Sequence, residues 1–105
     1  MAVIVTIEVP GGTQEMYDAI DAKIQIPSEW IPDGLIAHTA GPVDGGWRVI
    51  DVWRSAEDFE SAIPPKLAPL MGEYAAESGV ELAEPKITIT PLYNVFARES
   101  EPVLA

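Results

Sequence analysis

The chain of 105 residues contains no cysteine. Disulfide scaffolds, thiolate zinc sites and cysteine nucleophiles are therefore excluded at the outset. Basic residues are scarce. Lys23, Arg48, Arg54, Lys66, Lys86 and Arg98 stand against 17 acidic residues, a formal net charge of -11. The six are scattered and form no patch able to neutralise phosphates, which sets nucleic acid aside. An acidic surface also repels anionic membranes. One histidine, His38, leaves a transition-metal site poorly supplied, so no metal is expected. No apolar run approaches membrane-spanning length. The opening "MAVIVTIEVPGG" has no basic leader, alternates with period two and stops at Pro-Gly-Gly. It reads as a strand rather than a signal peptide, and the expected location is the cytoplasm. "PGGT" lacks the spacing and lysine of a phosphate loop, and no nucleophile elbow is present.

What remains is an ordinary globular composition, 48% hydrophobic and 22% charged. The length suits one domain, expected over residues 1–96, followed by a polar tail over 97–105. A single core of this size is marginal, so a second subunit would help to bury apolar surface.

Periodicity divides the chain into elements. "VIVTIEV" alternates Val3, Val5, Ile7 and Val9 against Ile4, Thr6 and Glu8, the pattern of a strand. Thr13 is a good N-cap for a helix through about Ile24, with Met16, Ile20 and Ile24 at four-residue spacing. "QIPSEWIPDG" is a connecting loop. "LIAHTAGP" and "WRVIDVWR" flank "VDGG", a hairpin signal, because Asp-Gly accepts the positive φ angles of a type I′ turn. Ser55-Ala56-Glu57-Asp58 resembles a capping box and starts a helix buried through Phe59, Ala62 and Ile63. Pro64-Pro65 should break that helix, and Pro69 should start another carrying Leu70, Met71 and Tyr74. "KITITPLY" is the last strand. The order βαββαβ with right-handed crossovers predicts an α+β, ferredoxin-like, four-stranded antiparallel sheet. Both faces of its strands are largely apolar, which calls for a cover on the second face. A second copy of the same sheet is the simplest one.

Asp51 interrupts this pattern, because an ionised carboxylate between Ile50 and Val52 is costly inside a strand. With Asp44-Gly45 as the turn, opposed residue numbers sum to 89. His38 then faces Asp51, Ile36 faces Trp53 and Ala40 faces Val49. A turn at Gly45-Gly46 would instead make His38 and Asp51 diagonal neighbours on the same face. Two roles fit the pair: a general base with its orienter, or two polar groups satisfying each other in a core. Trp47 and Trp53 share the face, which suggests a cavity wall. Trp30 fits either a lid over a ligand or a plug on the core. Tyr93 and Asn94, at the end of the last strand, are candidates to hydrogen-bond a substrate, and a terminal Asn also fits a turn former. Tyr17 and Tyr74 read as helix packing, and Arg48 and Arg54 as surface ion pairs.

The element order, "GGWRVIDVWRSAEDFESA" and the ending "ITPLYNVF" resemble the antibiotic biosynthesis monooxygenase-like group of small dimeric α/β-barrel proteins, over about Val3 to Phe96. The resemblance implies a homodimer whose two sheets pack into a barrel, with a pocket in each protomer between sheet and helices. Its members include cofactor-independent oxygenases of polyketide-derived aromatics, haem-degrading enzymes, and polyketide cyclases that use His and Tyr. In the oxygenases Trp, Asn and Tyr or His hold an electron-rich substrate that itself activates oxygen, and here Trp53 and Asn94 answer to such positions. Some relatives carry a histidine where this chain has Tyr93, so that base does not transfer. A haem-type site would need His38, the only histidine.

The combined expectation is a homodimeric small-molecule enzyme working without cofactor on an aromatic or polyketide-like substrate, by oxygenation or by redox-neutral cyclisation or isomerisation. A non-catalytic ligand-binding homodimer is the alternative. His38 is the expected base and Asp51 its orienter. Trp47, Trp53 and Trp30 form the expected walls.

Overall fold

The computed structural model describes residues 1–24 and 32–96. Its elements are β1 (Val3–Pro10), α1 (Gln14–Ile24), β2 (Leu35–Val43), β3 (Gly46–Trp53), α2 (Ala56–Ala62), α3 (Pro64–Ser78) and β4 (Lys86–Pro91). The strands form one sheet in the order β2-β3-β1-β4, every neighbouring pair antiparallel. The ferredoxin-like architecture read from the sequence is the one observed, with its second helical unit in two pieces.

Local chemistry sets the boundaries. Thr13 caps α1, its hydroxyl accepting from the Met16 N–H at 3.1 Å. Ser55 caps α2 through the Asp58 N–H, also at 3.1 Å. The prolines behave differently from the expectation. Pro64 does not merely end a helix: it opens α3, which runs through Pro69 to Ser78. Proline is at home at the start of a helix, where its missing N–H has no partner anyway. Pro69 forfeits only one ladder bond, and the apolar stripe of Leu67, Leu70 and Met71 packed on the core holds the helix across it.

The inner sheet face carries the core. Val3, Val5, Ile7 and Val9 on β1 and Trp47 and Trp53 on β3 are buried together with Met16, Ile20, Phe59 and Met71 from the helices. Trp53 and Phe59 meet edge to face, with ring centroids 5.6 Å apart. On the outer face Ile4, Ile50 and Val52 stay half-buried. Salt bridging between the helices is peripheral: Lys23 Nζ lies 2.6 Å from Glu73 on α3, both side chains well exposed, where solvent screens the pair. Apolar burial therefore sets the helix positions.

The hairpin register follows the Asp44-Gly45 turn, but the turn is not of the expected type I′: Gly45 has φ +80° whereas Asp44 has no positive φ. His38 pairs with Asp51 and Ala40 with Val49, as expected. One expectation fails. Leu35, not Ile36, lies opposite Trp53, because the register shifts between Leu35 and Ala37. The bulge turns Ile36 out to 44% exposure and gives its inward place to Leu35.

Candidate functional site

Asp51 sits mid-way along β3 on the inner face, only 4% exposed. Both carboxylate oxygens are engaged. Oδ1 lies 2.7 Å from His38 Nδ1, and Oδ2 accepts from the Trp53 indole N–H at 3.2 Å. The β2–β3 register produces the first contact, and the two-residue repeat of a strand produces the second. Because a carboxylate only accepts, the ring proton of neutral His38 resides on Nδ1, and Nε2 becomes the acceptor.

That acceptor is already occupied. Helix α1 crosses the inner face so that the Tyr17 hydroxyl lies 2.5 Å from His38 Nε2. The Tyr17 ring stacks on Trp47 at 5.3 Å and on the His38 ring at 6.1 Å, which fixes its direction. Gly12 lets the chain entering α1 pack closely on Trp47: a Cβ there would come within 3.0 Å of the Trp47 Cβ and 3.2 Å of the Met16 methyl.

Asp51, His38 and Tyr17 border a cavity of about 340 Å³ between the inner sheet face and helices α1 and α3, a volume suited to a small organic molecule. Its walls are otherwise apolar, with Ile20, Leu35, Met71 and the two tryptophans prominent. Asp21 is the other charged group lining it, and neither lysine nor arginine does so among the described residues. The hydrogen bond to Asp51 holds the His38 pKa above its ordinary value against the opposing effect of burial, and the charges of Asp51 and Asp21 add to the rise. Burial pushes the Tyr17 pKa well up, reinforced by the negative charges of Asp21, Asp51 and Asp18. These effects disfavour tyrosinate and stabilise the imidazolium form of His38 relative to a free imidazole.

Of the residues picked from sequence, His38, Asp51, Trp47 and Trp53 come together at this cavity. Trp53 is fully buried with its N–H committed to Asp51, so it offers a ligand only its ring. The Trp47 N–H is buried without a hydrogen-bond partner among the described residues. Tyr93 and Asn94 stand apart from this cavity. Strand β4 stops at Pro91, both residues are exposed, and neither lines the cavity, because the chain leaves the sheet before reaching them. Trp30 lies outside the described residues. Tyr17 and Asp21 were missed. Their signal was the spacing Tyr17, Ile20, Asp21, Ile24, which places all four on one helical stripe. Among the described residues no group of three or more His, Asp or Glu side chains is arranged to hold a metal ion.

No family model matches the sequence, and no curated protein matches it. Solved structures do. SnoaB, a cofactor-independent oxygenase from Streptomyces nogalater, superposes with a TM-score of 0.57 at 16% identity, over 92% of this chain and 97% of that one. Rv0793 from Mycobacterium tuberculosis gives 0.58 at 17% identity, over 92% and 100% of the two chains. A candidate antibiotic biosynthesis monooxygenase from Deinococcus radiodurans gives 0.58 at 11% identity, over 95% and 100%. The chain has the fold of the antibiotic biosynthesis monooxygenase-like proteins. At these identities the likeness is one of fold, and chemistry has to come from the side chains present.

Proposed function

We propose that the protein is a homodimeric, cofactor-free enzyme of the antibiotic biosynthesis monooxygenase type, acting on a small uncharged aromatic or polyketide-like molecule. The observation that carries this is the buried Asp51 carboxylate held 2.7 Å from the one imidazole at an apolar cavity. Such a base removes a proton from an acidic C–H or a phenol. The resulting carbanion or phenolate is electron-rich enough to reduce oxygen itself. Conversion of an activated CH2 to C=O with release of one water balances one O2, the substrate supplying all four electrons. No redox cofactor enters that balance. The cofactor-independent activity of the structurally similar SnoaB supports the same direction.

The lining sets the substrate class. Asp21, Asp51 and a single imidazole line the cavity, and no lysine or arginine lines it among the described residues, so its lining disfavours an anionic substrate. A redox-neutral aldol cyclisation or isomerisation is the second reading. It is favoured by the Tyr17 hydroxyl, which becomes free to donate to a carbonyl oxygen once His38 Nε2 carries a proton. The homodimer is supported by the half-buried apolar outer face of Ile4, Ile50 and Val52 and by the small size of a 105-residue core.

Oxygen consumption by the purified protein, with electron-rich polycyclic phenols as substrates, is the test. Uptake that disappears in both His38→Ala and Asp51→Asn supports the oxygenase. Product without uptake moves the assignment to the cyclase. Tight ligand binding with no product, unchanged in either variant, leaves a binding protein.

A further inference from the structure

Neutral His38 has no free basic nitrogen to offer a ligand. Nδ1 donates to Asp51 at 2.7 Å, and Nε2 is capped by the Tyr17 hydroxyl at 2.5 Å. The atom of this chain that combines a lone pair with a bond to the base is therefore Tyr17 Oη. Tyr17 lines the cavity, beside Trp47, on which its ring rests.

Resting on the base reading above, we propose that Tyr17 is the catalytic residue in contact with substrate and that it relays the substrate proton to His38. The relay balances in one concerted movement. The substrate X–H bond breaks and its proton goes to Tyr17 Oη, while the former Tyr17 proton passes along the existing hydrogen bond to His38 Nε2. Tyr17 ends neutral, His38 ends as imidazolium against Asp51, and the substrate carries the electron pair as an anion.

The hydrogen-bond direction reverses in the process. Imidazolium Nε2–H donates to Tyr17 Oη, so the phenolic O–H now points away from His38, at the new anion. One residue thus accepts the substrate proton and then stabilises the charge left behind. Charge around the pair enforces the order. Asp18 and Asp21 on α1 and Asp51 on β3 disfavour a tyrosinate intermediate, and the same Asp51 holds the imidazolium. The substrate class follows: a group whose conjugate base places charge on oxygen, namely a phenol or an enolisable ketone.

The test uses para-nitrophenol, whose phenolate absorbs in the visible, with full-length protein carrying 15N-labelled histidine. His38 is the only histidine, so its ring signals are unambiguous. At a pH where the free probe is largely protonated, wild-type protein should bind it as phenolate, read from its absorbance, and the complex should hold both His38 nitrogens in the protonated range whatever their state in the free protein. Tyr17→Phe keeps the stacked ring and removes the donor. Its bound phenolate-to-phenol ratio should fall about tenfold or more, the scale of one hydrogen bond to a charged group. Tyr17→fluorotyrosine, a stronger donor with the hydroxyl retained, should raise the ratio, and it serves where the Phe variant folds poorly. Equal ratios in all three proteins would overturn the relay and leave His38 as the base. No bound phenolate in the wild type would overturn the base itself and the relay with it.

Discussion

Trp53 donates its indole N–H to the oxygen of Asp51 that His38 leaves free, at 3.2 Å from a residue two positions earlier on the same strand. A buried carboxylate is tolerable only when its acceptor sites are filled, and here one donor comes from across the hairpin and the other from along the strand. The two tryptophans on this face are consequently unequal: Trp53 is a polar partner inside the fold, whereas the Trp47 N–H has no hydrogen-bond partner among the described residues.

That inequality gives a stability ranking. Trp53→Phe should leave Asp51 Oδ2 unsatisfied and cost about 1–3 kcal/mol beyond the change in ring size. Trp47→Phe, which discards an unpartnered donor, should cost less. Urea unfolding of both variants decides it, and the reverse order would mean that the Asp51 contact adds nothing.

The His38 titration carries a definite sign. Its folded pKa is raised, chiefly by the hydrogen bond to Asp51. The stability contributed by the imidazolium–carboxylate pair is therefore fully present below the ordinary histidine value of about 6.5. It is lost as the pH rises through the raised folded value. Asp51→Asn should bring the His38 pKa down in a proton NMR titration, and its stability deficit relative to wild type should be larger at acid pH than at alkaline pH. A deficit that grows toward alkaline pH would contradict the linkage.

The hairpin register depends on Gly45, whose φ of +80° lies in the left-handed region. Gly45→Ala should cost about 1–2 kcal/mol. Gly41→Ala is the control, since its Cβ would meet nothing within 4 Å and no left-handed φ is required. It should be neutral or gain a few tenths of a kcal/mol through a less flexible unfolded chain. Thermal melts of the two variants should separate clearly.

The outer sheet face should mediate self-association. Light scattering should give twice the chain mass at micromolar concentration. Ile50→Glu, which places a charge among Ile4 and Val52, should yield a folded monomer. A wild-type monomer at that concentration would remove the dimer.

Much of the fold was legible because its signals are local. Alternation in "VIVTIEV", the caps at Thr13 and Ser55 and the Asp44-Gly45 turn each act within a few residues, and all appear where the chemistry places them. Either candidate turn put His38 and Asp51 on one face, since counting back from a two-residue loop needs no tertiary information, and the Asp44-Gly45 turn makes them directly opposite. The count failed beyond Ala37, where a bulge displaces Ile36. The Arg54 N–H bonds the Gly34 carbonyl at 2.7 Å there, a contact between the strand ends that no alternation pattern contains. The break at Pro64 holds, since α2 ends at Ala62, but the next helix opens at Pro64 rather than at Pro69, because proline has the same constrained φ whether it ends one helix or opens the next.

The site itself divides along the same line. The amino-acid order by itself determined which carboxylate is buried and which imidazole opposes it, because two hairpin arms and one turn settle that geometry. Where α1 lies across the sheet, and hence that Tyr17 reaches His38 while Asp21 enters the cavity wall, was decided only by tertiary packing. A helical stripe names the residues that face inward. Their partners depend on how far the helix slides and turns against the sheet, which the fit of Met16, Ile20 and Met71 to the inner strand residues controls.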